Sequence, residues 1–334
     1  MMFSFSSSRR TLATVAPRLT GRSFSSKLAL FGCTLLTVAG ALSPASAQSS
    51  TTTATRPALS TANSKMPLLD PNKTPYPRSS LHDFSNLLDA PAGKHGFLTT
   101  RGDHFAWANG QRARFWGINV ANTSLQEPDA DIDQIIENFR TAGFNLVRLH
   151  HFDERGGIID LDAPDSRRFV AERLRKLDYW IYKAKQAGIY VYLDLLDYRR
   201  FKEGDGVPNA EAIGRAARPY NVFDARLIEL QKEYAKALMK DHINPYTGLS
   251  YAADPAVVML EIYDESGLFM RRGVWREMPE PYATNFKKMW NDWLKKTYRD
   301  TGTLAAAWTD AQGVCALRPE EKVELGNVQV PAMT

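Results

Sequence analysis

The stretch DPAVVMLEIYDESGLF, residues 254–269, decides how the chain is read. Val257–Ile262 (VVMLEI) is a short, nearly continuous apolar run, the pattern of a strand buried on both faces, and the polar residues Tyr263, Asp264 and Glu265 follow it at once. Three more runs of this kind lie upstream, at about Phe115–Val120, Phe144–Leu149 and Ile189–Leu196. Helical stripes separate them. Ile132, Ile135, Ile136 and Phe139 form one stripe, stopped by Gly143, and Val170, Leu174, Leu177, Ile181 and Ala184 form the next, closed by Gly188. A third uses Leu227, Leu230, Tyr234 and Leu238, and a fourth, after the strand at 257, uses Phe286, Met289, Trp290 and Trp293, the two tryptophans being read as core. Strands that alternate with helices imply an α/β fold with a parallel sheet covered by helices. Ahead of it, GFLTTRGDHFAWANGQRARFWGIN (96–119) reads as a β-hairpin turning at Ala108-Asn109-Gly110.

Loop lengths show which end of the sheet carries function. The links around Gly143 and Gly188 are a few residues long, whereas the segments 151–165, 197–221 and 264–281 that follow strands are long and rich in Asp, Arg, Gly and aromatic residues. Material has gathered at the carboxyl ends of the strands, where barrels and open α/β sheets place their sites. The longer link 243–256 breaks that asymmetry. Asn119 and Asn122 follow the first strand, Arg148, His150, His151 and Asp153 the second, Asp194 and Asp197 the third, and Glu261, Asp264 and Glu265 the fourth. Glu265 stands just past an apolar run, where partial burial would raise its pKa and suit it to donate a proton near neutral pH. Tyr198, Tyr263 and Trp275, at or beyond strand ends, are the candidates for stacking on a ring-shaped ligand. His150-His151-x-Asp153 has metal-ligand residue types, but side chains of adjacent strand residues point to opposite faces, so only one imidazole is expected to face the mouth. Neither a metal nor an organic cofactor is expected, and the sequence holds no phosphate-cradling glycine loop and no CxxC pair.

The net charge of +5 invites a nucleic-acid or membrane-surface reading until its position is examined. Residues 1–47 carry five basic residues (Arg9, Arg10, Arg18, Arg22 and Lys27) and no acidic one, so the remainder holds 42 − 5 = 37 basic against 37 acidic residues. No nucleic-acid partner is expected. The same 47 residues combine a basic start, the apolar run Leu28–Leu42 and Ala45-Ser46-Ala47, which reads as a cleaved signal peptide and a secreted or periplasmic product without a membrane span. Residues 48–95 read as a flexible Ser/Thr/Pro-rich lead-in, leaving 96–334 for the folded part. Signal removal takes Cys33 and leaves Cys315 alone, so no intrachain disulfide is expected.

RFWGIN (114–119), NLVRLHHFD (145–153), GIYVYLDL (188–195) and above all the stretch at 254–269 resemble the first half of a clan A glycoside hydrolase, close to the family 5 cellulase-like proteins. The resemblance implies a (β/α)8 TIM barrel and a retaining glycosidase acting on a poly- or oligosaccharide, with Glu265 as general acid/base and Arg148 helping to hold the nucleophile. Asn119, His150, His151, Tyr198, Tyr263 and Trp275 then become candidate sugar contacts. Two departures stand out. The family's asparagine before the acid/base is Asp264 here, so an amide donor is replaced by a carboxylate that, ionised, can only accept.

The second departure is the count of units. Strand patterns support only four βα units, and the 34 residues after Asp300 are too few for four more at roughly 30 residues each. Glu320, Glu321 and Glu324 in that tail follow no strand pattern and read as solvated loop residues. The nucleophile is therefore expected to be missing from this chain. Three alternatives stay open: a truncated enzyme, a non-catalytic or vestigial carbohydrate-binding half-barrel, or a half-barrel completed by a second chain through its unpaired sheet edges.

Overall fold

The computed structural model describes residues 83–267 and 277–331, all within the unit Ser64–Thr334. The signal expected over 1–47, most of the lead-in and Trp275 lie outside the described residues. In chain order the elements are β1 (Thr99–Arg101), β2 (His104–Ala106), β3 (Gly117–Ala121), α1 (Asp129–Thr141), β4 (Leu146–His150), α2 (Ala171–Ala187), β5 (Tyr190–Asp194), the single turn α3 (Ala210–Ile213), α4 (Ala225–Lys236), β6 (Val257–Glu261), α5 (Tyr282–Tyr298) and α6 (Thr301–Ala307). β3, β4, β5 and β6 form one parallel sheet in sequential order, the arrangement of consecutive units in a TIM-type barrel.

Period-two alternation sorts the strand side chains into two faces. Val147 and Leu149 of β4 and Val191 and Leu193 of β5 are buried in the main core with Ile132, Ile135 and Ile136 of α1 and Leu177, Trp180 and Ile181 of α2. Glycine ends both helices where the sequence predicts it. Gly143 (φ +79°) and Gly188 (φ +81°) take left-handed conformations, and a Cβ would come within 2.8 Å of Phe84 Cβ at Gly143 and 3.0 Å of the Ala90 nitrogen at Gly188. Those approaches come from the end of the segment read as flexible. Its described part, 83–95, is packed: Phe84 N–H donates to Thr141 O, Ala92 N–H donates to Lys185 O, and Ala92 is fully buried.

The other sheet face is layered. Leu146 and Tyr190, at the amino ends of β4 and β5, cluster with Ala92, Ala256, Trp107 and Phe115 and close that end with apolar packing. Above them Asn119, Arg148, Tyr192 and Met259 are in register, and above these lie His150 of β4, then Asp194 and Glu261 in register on β5 and β6. Polarity therefore rises toward the carboxyl ends of the strands.

Three expectations are corrected. The hairpin turns at Gly102 (φ +63°), between β1 and β2, and the predicted Ala108–Gly110 turn is a second reversal, bridged by Ala106 and Arg112. On α5, Trp290 joins Leu294, Leu304, Val323 and Val328 in a small separate cluster, but Met289 and Trp293 are each 48% exposed, because the buried stripe of this helix meets the tail. The tail glutamates are not all solvated. Glu321 is buried and accepts from the backbone N–H groups of Arg318 and Gln329, while Glu324 accepts from the N–H and hydroxyl of Thr301 at the start of α6.

The hydrogen bonds from Thr301 pull the Glu324 carboxyl down from 4.5 to about 2. With the folded pKa depressed, this contact contributes fully above pH 4.5 and is lost as the pH falls toward about 2. The Thr301 amide resonance is expected to titrate with that low midpoint and to stop titrating in Glu324→Gln. A midpoint at the ordinary 4.5 would show that the contact does not form in solution.

Candidate functional site

The carboxyl end of the sheet is organised around Arg148. From the middle of β4 its Nε donates to Asp194 Oδ1 (3.1 Å), and its Nη2 lies 2.7 Å from Asp194 Oδ2, 2.7 Å from Glu261 Oε2 and 3.4 Å from Asp264 Oδ1. Tyr192 donates its hydroxyl to the same Glu261 oxygen at 2.8 Å, and the Arg148 guanidinium sits 5.3 Å from the centre of the Tyr192 ring. One guanidinium thus links carboxylates from β5, β6 and the segment after β6.

A second guanidinium, missed in the sequence, reaches in from the long segment after β5. Arg218 donates from Nη2 to Asp264 Oδ2 (3.0 Å) and to Asp197 O (2.7 Å), and its Nη1 is 3.6 Å from Glu265 Oε2. Asp264 is consequently held between two arginines. Glu265 differs from expectation: its backbone is left-handed (φ +45°) and its side chain is 59% exposed, so the burial inferred from the preceding apolar run is absent. The strand ends at Glu261, and the three residues that follow carry Glu265 out to the rim.

The two histidines also depart from the alternation argument. β4 ends at His150, and His151 takes φ +60°, which turns its ring back against that of His150 with centroids 3.4 Å apart. Both imidazoles therefore belong to the site. His151 bonds through Nδ1 to Asn122 Oδ1 (2.8 Å), and His150 through Nδ1 to Asp194 Oδ2. Burial first, then the neighbouring His150, pushes His151 down to about 4, and burial followed by Arg148 lowers His150.

Beneath them Asp153 is fully buried and caps the start of the segment after β5, accepting from the N–H groups of Asp197, Tyr198 and Arg199 at 2.9 to 3.0 Å. Burial raises its pKa, against the pull of those N–H donors. Asp197 is pushed up to about 8 by burial and by the charges of Asp153 and Asp194, and burial also raises Asp194 against the pull of Arg148.

The remaining candidates are spread out. Asn119 is exposed on the edge strand β3. Tyr198 stands at the rim, with the Arg215 guanidinium 4.0 Å from its ring centre and His151 edge-on at 4.4 Å, so one ring face is already covered. Tyr263 packs against a second core that includes Leu196, Phe201 and Tyr282, and burial raises its hydroxyl pKa. A cavity of about 770 Å³ opens beside the site, lined among others by Glu154, Arg155, Asp162, Arg173, Tyr198 and Arg200. Among the candidate residues only Tyr198 lines it.

No family model and no curated protein matches the chain. Solved structures do. An endo-1,4-β-mannanase from Rhizomucor miehei aligns at 19% identity and TM-score 0.42, over 60% of this chain and 58% of that one. A family 5 mannosidase from the same organism aligns at 15% identity and TM-score 0.38 over 60% and 53%, and a β-glucanase from Saccharophagus degradans in complex with cellotetraose at 19% and 0.31 over 58% and 47%. The fold is similar in part to family 5 glycoside hydrolases. The chain spans about half the length of these structures.

Proposed function

We propose that this chain carries the acid/base half of a glycoside hydrolase that cleaves O-glycosidic bonds in a poly- or oligosaccharide by retaining double displacement. The observation that supports this best is the contrast at the carboxyl end of β6: Asp264 is pinned by Arg148 and Arg218, while the next residue, Glu265, is 59% exposed, with Arg218 as its ion partner among the described residues. A carboxyl at the rim is free to meet a glycosidic oxygen. Glu265 then protonates the leaving oxygen, a second carboxylate attacks the anomeric carbon from about 5–5.5 Å away, and Glu265 next takes the proton from water. In this reading the nucleophile is not among the described residues, and Arg148 helps to hold it.

One observation favours a second reading, a non-catalytic carbohydrate binder. Both Asp264 oxygens are engaged by arginine, leaving no amide donor for a sugar hydroxyl. Incubating the full chain with mannotetraose and cellotetraose, with binding followed by calorimetry and products by anomeric NMR, separates the two. Because the attacking carboxylate is not among the described residues, formate is supplied as an external nucleophile. The hydrolase reading then expects turnover and a rate that falls roughly 10²- to 10⁴-fold in Glu265→Gln. Binding without turnover, with formate present, establishes the second reading. Neither binding nor cleavage overturns the first.

A further inference from the structure

We propose that His150, Asp194 and Asp197 form a binding site for a divalent cation of the zinc class, bridging the carboxyl ends of β4 and β5. One ligand atom from each of the three residues lies within 4.8 Å of the others. The Asp194 and Asp197 side chains are fully buried and that of His150 is 11% exposed.

One observation points to a ligand in this cluster. Asp197 Oδ2 accepts from the His151 N–H at 3.0 Å, but Oδ1 of the same buried carboxylate has no partner among the described residues. A buried oxygen without a donor is costly, and a cation is one group that satisfies it.

The donor set selects the ion. One imidazole nitrogen and two carboxylates suit a zinc-class ion that keeps an open position, whereas calcium takes six to eight oxygens. An overlapping group, His150 with His151 and Asp264, has similar spacing, but arginine holds both Asp264 oxygens, whereas the proposed group includes the unpartnered Asp197 Oδ1. The ion would fasten β4 to β5 beneath the rim. This assignment is independent of whether Glu265 cleaves a glycoside.

The test uses the full chain, stripped with a chelator, given Zn²⁺ and dialysed. Wild type is expected to retain a single equivalent and to unfold at a higher temperature than the stripped protein. His150→Gln and Asp197→Asn are each expected to weaken zinc binding by more than roughly tenfold, and His151→Gln to leave it unchanged. Zinc K-edge absorption on the wild type needs no variant to fold, and it should show nitrogen and oxygen ligands without sulfur. No retained zinc, equal retention by His150→Gln and Asp197→Asn, loss in His151→Gln, or a sulfur ligand from the exposed Cys315 would each overturn the proposal.

Discussion

Asp153→Ala is expected to destabilise the protein by about 3–5 kcal/mol, since three donors would be stranded at roughly 1–3 kcal/mol each and water can relieve some of that cost. The carboxylate is fully buried and serves the N–H groups of Asp197, Tyr198 and Arg199. These residues begin the long segment after β5, where the backbone leaves the sheet and no strand partner remains to satisfy it. Alanine removes all three acceptor contacts and leaves a small void. Asp153→Asn keeps one oxygen acceptor but turns an amide toward donors, so it should recover only part of the loss. The same change should loosen the site, because Tyr198 and Asp197 hang from the capped turn. Denaturant unfolding of both variants measures the cost, and a wild-type midpoint for Asp153→Ala would mean that the cap carries no weight. Against a total of about 5–15 kcal/mol for an ordinary domain, the predicted loss is large.

This residue also marks where sequence reading reached its limit. The alternation of strands and helices was legible because burial on one stripe or on both faces imposes a period, and β3 to β6 and their helices follow those periods. The polar residues at the strand ends were legible for the same reason, since Arg148, His150, Asp194 and Glu261 share a face at spacing two. What failed depended on backbone leaving regular geometry. Only one of His150 and His151 was expected to face the mouth, on the premise that both lie in a strand, and the φ of +60° at His151 cancels that premise. Glu265 was expected to be buried because the apolar run leads toward it, yet the chain turns outward first. Arg218 carries no local signal, because its partner Asp264 is 46 residues away and meets it only when the segment after β5 folds over the sheet. Glu321 looks like any surface glutamate until the tail closes and aims two backbone N–H groups at it.

Arg148→Met should lower the stability of the metal-free protein by about 3 kcal/mol, because it strips the shared counter-charge from three carboxylates in a mostly dry setting. Asp194 has no exposed side-chain surface, Asp264 is 14% exposed and Glu261 27%, and Arg148 is the guanidinium that all three share. Arg148→Lys restores the charge but not the fork: a single ammonium cannot keep Nε and Nη2 on separate Asp194 oxygens while reaching Glu261. It should therefore fall between wild type and methionine. The cation site gives the same substitution an opposite sign elsewhere. With Arg148 gone the cluster becomes more negative by one charge and Asp194 is released from its main competitor, so Arg148→Met should bind zinc more tightly while being less stable without it. Thermal unfolding with and without zinc reads both quantities on one sample, and the zinc-induced rise in midpoint should be larger for Arg148→Met than for wild type. If stability and zinc affinity fell together, Arg148 would be a support for the cation site rather than its competitor.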